Sequence, residues 1–308
     1  MTLKDMYYIS RISAEKNMTK AAAKLFVAQP ALSQCVQKVE RELGTPVFVR
    51  TAAGVSLTAE GQRFLEFVNK MLYEEQQMKK EIEDIAHAER GEVKLGFTGA
   101  QAAHVLPHFL PRFRQQCPYI DIILEEAASD KIEEMLAAGE IDVGILHPPI
   151  LTPGLESFEL IHDQMVIVPR RDSDYRKFVY RDKEAGAGSE RSYLDIRFLE
   201  MEPVALTPDR QRSRMVTEQI FAKAGIIPQI KQVSRNLSTL DALAQADYAT
   251  VILPEKQISA ALKDREYFLI DERCGAPFGF WVALLQGSYV SLAAQKMLLF
   301  LREEFNLT

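Results

Sequence analysis

Long apolar runs and clustered cysteines are scarce in this chain of 308 residues. No apolar run approaches the roughly 20 residues that a membrane helix needs, and the N-terminal stretch has no signal-peptide core. Cys35, Cys117 and Cys274 are the three cysteines, and no CxxC occurs. This usage excludes a disulfide framework and a thiolate metal site, and it predicts a cytoplasmic protein without membrane contact.

Motifs that mark common enzymes are also missing. The sequence has no GxGxxG, no P-loop, no nucleophile elbow and no histidine cluster at metal-ligand spacing. We therefore predict no catalytic residues, no metal and no cofactor, and a protein that is not an enzyme.

Negative charge dominates overall, but it is unevenly distributed. The net charge is −6. Residues 1–57 contain eight Lys and Arg against four Asp and Glu, a balance of +4, so the remainder carries −10. A small basic head on a larger acidic body is expected when only the head meets phosphate.

The head contains a stretch that predicts two short helices joined by a tight turn, from Thr19 to Glu40. Thr19 is a candidate N-cap, residues 26–28 form the turn, and Pro30 suits the first turn of the next helix. That second helix has an apolar stripe opposite a face of short or planar hydrogen-bonding side chains: Gln29, Ser33, Gln34, Gln37 and Lys38. Such a face is typical of a recognition helix that reads base edges, but composition alone fits a solvated surface helix equally well.

The following residues favour DNA recognition. Gly44 is a candidate helix C-cap. Residues 45–50 and 55–58 predict two short strands around a turn, which is a wing with Arg50 placed to reach phosphate or the minor groove.

The order AA-x-x-L, QPALS, VERELGTPVFVR and GVSLTAEG, over residues 3 to 65, resembles the DNA-binding domain of LysR-type transcriptional regulators. The resemblance implies a winged helix-turn-helix over residues 1–58 that binds a double-stranded DNA operator as a homodimer, with a tetramer as the usual assembly. The residues we expect to contact DNA are Thr19, Gln29, Pro30, Ser33, Gln34, Gln37, Lys38 and Arg50. Ala28 stands where the family commonly has Ser, which predicts a recognition-helix cap weaker by about 1 kcal/mol.

Residues 59–90 predict a long helix, with Thr58 as its N-cap. Its apolar residues follow a heptad spacing that Glu75 interrupts. A helix docked on its own domain is one interpretation; a dimerising linker helix, which the family resemblance implies, is the other. The residues we expect in the dimer seam are Phe64, Val68, Met71, Met78, Ile82 and Ile85.

From residue 91 to 308, short apolar strands alternate with helices, which predicts parallel α/β units. We expect a first lobe at about 91–165 and 271–308, and a second at about 166–270, with a long strand over residues 160–169 leaving the first lobe. This arrangement resembles the periplasmic-binding-protein-like effector domain of the family. Residues 172–202 match the family poorly, and their polar composition with Gly186 and Gly188 predicts a mobile loop before Tyr193.

Ligands in open α/β sheets bind outside the carboxyl ends of the strands. By this rule and by the resemblance, the expected effector site comprises Thr98, Gly99, Ala100, Gln101, Ser129, His147 and Thr207. Free N–H groups and hydroxyls at helix starts favour a small anion such as a carboxylate. Ser129 and Thr207 as simple caps, and His147 as a plain loop residue, remain open alternatives.

The basic residues Arg210, Arg212 and Arg214 either neutralise that anion or form a solvated face. A redox switch formed by Cys117 and Cys274, both expected in the first lobe, is a further alternative. The sequence thus predicts an effector-responsive transcriptional regulator; the alternative is a small-molecule binding protein without a regulatory role.

Overall fold

The computed structural model describes residues 1–51, 54–86, 90–181, 192–263, 265–271 and 273–305. The chain forms two compact units, Met1–Ala88 and Glu89–Thr308. Within the described residues, no helix is both long and apolar enough to cross a membrane.

The first unit is a helical head with a two-stranded wing and a long helix. Its elements are α1 Leu3–Glu15, α2 Met18–Lys24, α3 Gln29–Leu43, β1 Phe48–Thr51, β2 Gly54–Leu57 and α4 Ala59–Ala86. Ile9, Leu32 and Val39 are fully buried at the centre of its core. The helix-turn-helix predicted from the sequence is therefore α2 and α3, and the apolar stripe of the second helix is buried as predicted.

Helix α4 ends at Ala86, short of the predicted residue 90, and residues 87–89 lie outside the described part; the predicted helix caps are found except at one helix. Asn17, not Thr19, caps α2: its Oδ1 accepts a hydrogen bond from the Lys20 N–H at 3.0 Å. Thr19 lies inside the helix, so its assignment as N-cap was wrong. Ala28 is the N-cap of α3 and makes no side-chain cap bond, and Thr58 Oγ1 accepts from the Gly61 N–H at 2.8 Å ahead of α4.

The wing is fastened to the end of α1. Strands β1 and β2 pair antiparallel, and the Val55 N–H donates to the Lys16 carbonyl oxygen at 3.0 Å. Gly54 has φ +131, and a Cβ there would lie 2.3 Å from that same oxygen. Only glycine permits this conformation and approach without displacing backbone. The predicted wing tip at Ala52 and Ala53 lies outside the described residues.

The heptad seam of α4 divides into two parts. Phe64 is 8% and Val68 0% exposed, and both, with half-buried Met71, pack into the head's own core. Phe64 and Val68 are covered by the head itself, so their side chains are not free for a partner helix, whereas the place of half-buried Met71 in a dimer seam stays a prediction. Met78, Ile82 and Ile85, by contrast, are exposed.

The second unit contains two mixed sheets with flanking helices. Its first half comprises β3 Gly91–Phe97, α5 Gly99–Gln116, β4 Ile120–Glu126, α6 Ser129–Ala137, β5 Val143–Leu146, β6 Leu155–Asp163, β7 Met165–Val168, β8 Val179–Arg181 and β9 Ser192–Leu194. Its second half comprises β10 Pro203–Leu206, α7 Arg212–Ala224, β11 Gln229–Val233, α8 Leu237–Gln245, β12 Thr250–Pro254, α9 Ala260–Lys263, β13 Phe268–Ile270, β14 Phe278–Leu285 and α10 Leu292–Glu304.

Strand order shows how the chain passes between the two sheets. One sheet has the order β4-β3-β5-β14-β6 and the other β11-β10-β12-β7-β13-β9-β8. β3 pairs in parallel with β4 and β5, and β10 with β11 and β12, as predicted. The long strand expected over residues 160–169 is two strands, β6 and β7, separated at Gln164 and belonging to different sheets.

Two further details differ from the sequence-based expectation. A 3-10 turn at Tyr175–Phe178 and strand β8 lie where a loop was predicted before Tyr193; residues 182–191 lie outside the described part. Cys274 packs against the core of the seven-stranded sheet, not in the first lobe. This separates it from Cys117, which packs on the other sheet's core.

Candidate DNA-binding and effector-binding sites

The polar face of α3 lies on the surface of the head, because the opposite face of the helix packs into the head core. Gln29, Gln34 and Gln37 are exposed and Ser33 is half-buried. Gln29 Nε2 donates to Ser33 Oγ at 3.0 Å, so the two side chains form one unit on the face. Pro30 and Arg50 are also exposed. The residue types and exposure suit contact with base edges and phosphates.

Lys38 differs from its neighbours because its charge is already balanced. Its ammonium lies 2.7 Å from Asp5 Oδ2 of α1. Burial would raise the pKa of the Asp5 carboxyl, but hydrogen bonds from Lys38 and Thr2 outweigh it and lower the pKa to about 2. A phosphate contact by Lys38 requires competition with Asp5.

Cys35 packs in the head core behind α3. Burial, reinforced by the charge of Asp5, raises the pKa of its thiol to about 11. A thiol with so little thiolate is a poor nucleophile. Its place in the head core confirms the packing expected from the sequence.

A cavity of about 880 Å³ opens in the second unit. It lies at the carboxyl ends of parallel strands from both sheets. Its lining residues are Thr98, Gly99, Ala103, Glu126, Ala127, Ala128, Ser129, Asp130, His147, Arg210, Gln211, Arg212, Ser213, Arg235, Asn236, Leu237, Ser238, Gln257 and Phe278. Its volume is within the range of small-molecule sites.

Four of the seven residues expected at the effector site line this cavity: Thr98, Gly99, Ser129 and His147. Thr207 does not, because its hydroxyl is buried against Ser213 Oγ at 2.9 Å. Gln101 is wholly buried behind the lining, where its Oε1 accepts from the Thr98 N–H at 3.1 Å. The side chain of Ala100 lies outside the described part of the structure.

The basic residues that follow strands of the seven-stranded sheet contribute more to the cavity lining than the sequence indicated. Arg210 and Arg235 are exposed in the lining. Arg212 also lines the cavity, yet it is buried and lies 2.5 Å from Glu133 of α6. Arg214 is buried outside the lining, donating to the Thr207 carbonyl at 3.0 Å. A solvated face is therefore wrong for Arg212 and Arg214.

The segment 235–238 was missed altogether. It follows β11 and begins α8, where Asn236 Oδ1 accepts from the Ser238 N–H at 3.0 Å. The carboxyl-end rule applied to β11 would have found it. With this segment, the N-termini of α5, α6, α7 and α8 all border the cavity. Their partial positive charges favour an anion.

Several buried polar atoms around the cavity lack a partner in the part of the chain that the structure describes. They are Thr98 Oγ1, Gln101 Nε2, His147 Nε2 and Arg212 Nε. Burial lowers the pKa of His147 to about 4, against a hydrogen bond to the Gly279 carbonyl that raises it. The ring is therefore neutral at physiological pH. Unpaired buried polar groups are costly, and a bound ligand is one way to satisfy those of Thr98, His147 and Arg212, which line the cavity.

Among the same described residues, no group of three or more His, Cys, Asp or Glu is placed to hold a metal ion.

A winged helix-turn-helix followed by a unit with a ligand-sized polar cavity defines a ligand-responsive transcriptional regulator.

Comparison with known families and structures agrees with that class. Residues 3–62 match the bacterial regulatory helix-turn-helix of the lysR family, and residues 86–306 match the LysR substrate binding domain. The chain belongs to the LysR family of transcriptional regulators.

Its relatives include the Hca operon transcriptional activator HcaR of Escherichia coli, 28% identical over 82% of each chain. ClcR of Pseudomonas putida is 27% identical over 83% of each. Among solved structures, a full-length OxyR variant from Pseudomonas aeruginosa matches with a TM-score of 0.65 and 21% identity, covering all of this chain and 95% of that one. CbnR in complex with its target DNA matches with a TM-score of 0.58 and 24% identity, over 99% and 100%.

Proposed function

We propose that this regulator binds a DNA operator as a homodimer through α3 and the wing, and that a small carboxylate held in the cavity controls it. The observation that carries the effector proposal is the cavity itself. Four helix N-termini, Arg210, Arg212 and Arg235 border it, together with buried polar atoms that lack partners. Such a setting stabilises an anion of small size.

A screen of small carboxylates against their uncharged amides tests this proposal, with the thermal unfolding of the full chain as the readout. Trp281, the one tryptophan, lies in the second unit and reports on it by fluorescence. Carboxylates should raise the unfolding temperature more than their amides. Arg235→Gln should weaken the best carboxylate about tenfold, the value of one charge-assisted contact.

Arg114→Gln is the matched control, because Arg114 is exposed on α5 and outside the lining. Equal effects of the two substitutions, or equal binding of acid and amide, contradict the anion proposal.

Self-association is proposed to use the exposed half of α4, where Met78, Ile82 and Ile85 are 51%, 57% and 82% exposed. Ile82→Lys should leave the head folded but raise the dimer dissociation constant by at least tenfold in sedimentation, because it places a charge in an apolar contact. Val68→Lys should instead unfold the head, since Val68 is fully buried. If the Ile82→Lys variant is folded and still forms a tight dimer, the assignment of the dimer contact to this half of α4 is wrong.

The relatives with assigned roles are transcriptional regulators, and we propose that this chain likewise has no catalytic activity and acts in the cytoplasm. Pairing of two dimers into a tetramer, the expectation from the family resemblance, extends the same proposal.

A further inference from the structure

The cavity is polarised, and the polarity carries information about the effector. Its two acidic residues, Glu126 and Asp130, lie at the end of β4 and the start of α6 on the five-stranded sheet's side. Its three arginines, Arg210, Arg212 and Arg235, follow β10 and β11 of the other sheet. One side therefore offers acceptors and the other offers cationic donors.

The Glu126 carboxylate occupies a place that would otherwise attract an anion. A Cβ built at Gly99, the first residue of α5, would lie 2.6 Å from Glu126 Oε1. The protein's own carboxylate thus lies at the N-terminus of α5, where the helix dipole favours negative charge. A second anion at this position would be repelled, so an effector's carboxylate belongs on the arginine side.

His147 adds a fixed acceptor to the acidic side. Its Nδ1 lies 2.7 Å from the Gly279 carbonyl oxygen. A carbonyl oxygen only accepts, so Nδ1 carries the proton and Nε2 of the neutral ring is an acceptor. Nε2 is buried and has no partner in the described part of the chain.

The ring cannot easily turn to present another atom. It stacks on Phe278 with centroids 4.4 Å apart and meets Phe280 edge-on at 5.2 Å. His147 is 6% exposed. Packing on two aromatic rings and the bond to Gly279 together hold Nε2 as an acceptor beside the cavity that His147 lines.

We propose that the effector is bifunctional: a small carboxylate whose other end carries a hydroxyl or amino hydrogen-bond donor that pairs with His147 Nε2. This inference rests on the proposed function of the cavity and adds the donor end. The carboxylate lies toward Arg210 and Arg235, since Arg212 is already paired with Glu133, and the donor lies toward His147 and Glu126.

Calorimetry with the full chain and matched probes tests the donor end. Suitable sets share one framework and differ at one carbon: succinate, malate and aspartate, or propionate, lactate and alanine, or benzoate and its hydroxy and amino derivatives. In any framework that binds, the hydroxyl or amino member should bind about tenfold tighter than the unsubstituted acid. The two substituted members distinguish a hydroxyl from an amine.

Two variants of His147 separate the acceptor from the rest of the ring. His147→Asn places an amide N–H near the position of Nδ1 but removes the acceptor, so the tenfold preference should fall to about one. His147→Gln places Oε1 near the position of Nε2 and should retain the preference. If neither variant folds, ¹⁵N-histidine spectra of the unaltered chain should show one Nε2 resonance moving upfield with malate or another donor-bearing probe that binds, and not with its unsubstituted acid.

The outcomes divide cleanly. Tightest binding by unsubstituted acids, or a donor preference unchanged in His147→Asn, overturns the donor inference while leaving the carboxylate site intact. Binding of alcohols or amines that lack a carboxylate, in place of the carboxylates, supports the donor end and contradicts the proposed anionic effector. Binding of none of these probes contradicts both.

Discussion

Replacing Glu133 by alanine is expected to lower the free energy of unfolding of the second unit by about 3–5 kcal/mol. Glu133 is 1% and Arg212 5% exposed in their side chains, and they lie 2.5 Å apart. The second Glu133 oxygen accepts from the Leu151 and Thr152 N–H groups at 2.9 and 2.7 Å. Alanine leaves a buried guanidinium and two backbone donors unpaired.

Urea unfolding followed by the fluorescence of Trp281 measures this effect in the second unit alone, since the first unit has no tryptophan. With a slope of about 2–3 kcal/mol per molar urea, the midpoint should fall by about 1–2.5 M. The double variant Glu133→Gln with Arg212→Met should recover most of the loss, because the amide oxygen still accepts a backbone bond and no charge is left buried. An unchanged midpoint for Glu133→Ala would show that the pair does not hold the unit together.

Replacing both Gln29 and Ser33 by alanine is expected to weaken specific operator binding by about tenfold to a hundredfold, which is the value of one lost bidentate base contact. The two side chains are hydrogen-bonded to each other at 3.0 Å on the open face of α3. Binding to random duplex DNA should be nearly unchanged, because phosphate contacts come mainly from basic residues such as Arg50.

Fluorescence anisotropy with specific and random duplexes measures both affinities at one salt concentration. The control is Arg50→Gln, which should weaken both duplexes alike and flatten the salt dependence of binding. Ligand-induced thermal shifts of the second unit should stay as they are in the double alanine variant. Retained operator preference in that variant would falsify the assignment of α3 as the reading helix.

Much of the fold follows from local sequence patterns. The alternation of short apolar strands with helices predicted parallel α/β units, and β3 with β4 and β5, and β10 with β11 and β12, form them. The errors arose where distant packing decides. Val68 follows a heptad spacing, which indicates a partner helix. Its apolar side chain is instead buried in the core of the head. The break at Gln164 is decided by which sheet accepts each neighbouring strand.

The effector site was predictable in part for the same reason. A rule about strand ends finds Thr98, Ser129 and His147, since it needs only topology. It cannot distinguish Thr207, whose hydroxyl turns to Ser213, from Arg212, whose side chain reaches the lining while pairing with α6. Which nitrogen of His147 is free depends on Gly279, 132 residues away in the chain, and no local pattern carries that contact.

Selection of bound sequences from a random duplex library by the purified full chain tests the central claim most directly. The measurement is the enrichment of each sequence at about 150 mM salt, compared with a chain lacking residues 1–58. We expect the full chain to enrich one motif with two related half-sites arranged as an inverted repeat, as a two-fold symmetric dimer of heads requires, and the shortened chain to enrich none. If the full chain and the shortened chain both fail to enrich any sequence motif, the account is contradicted.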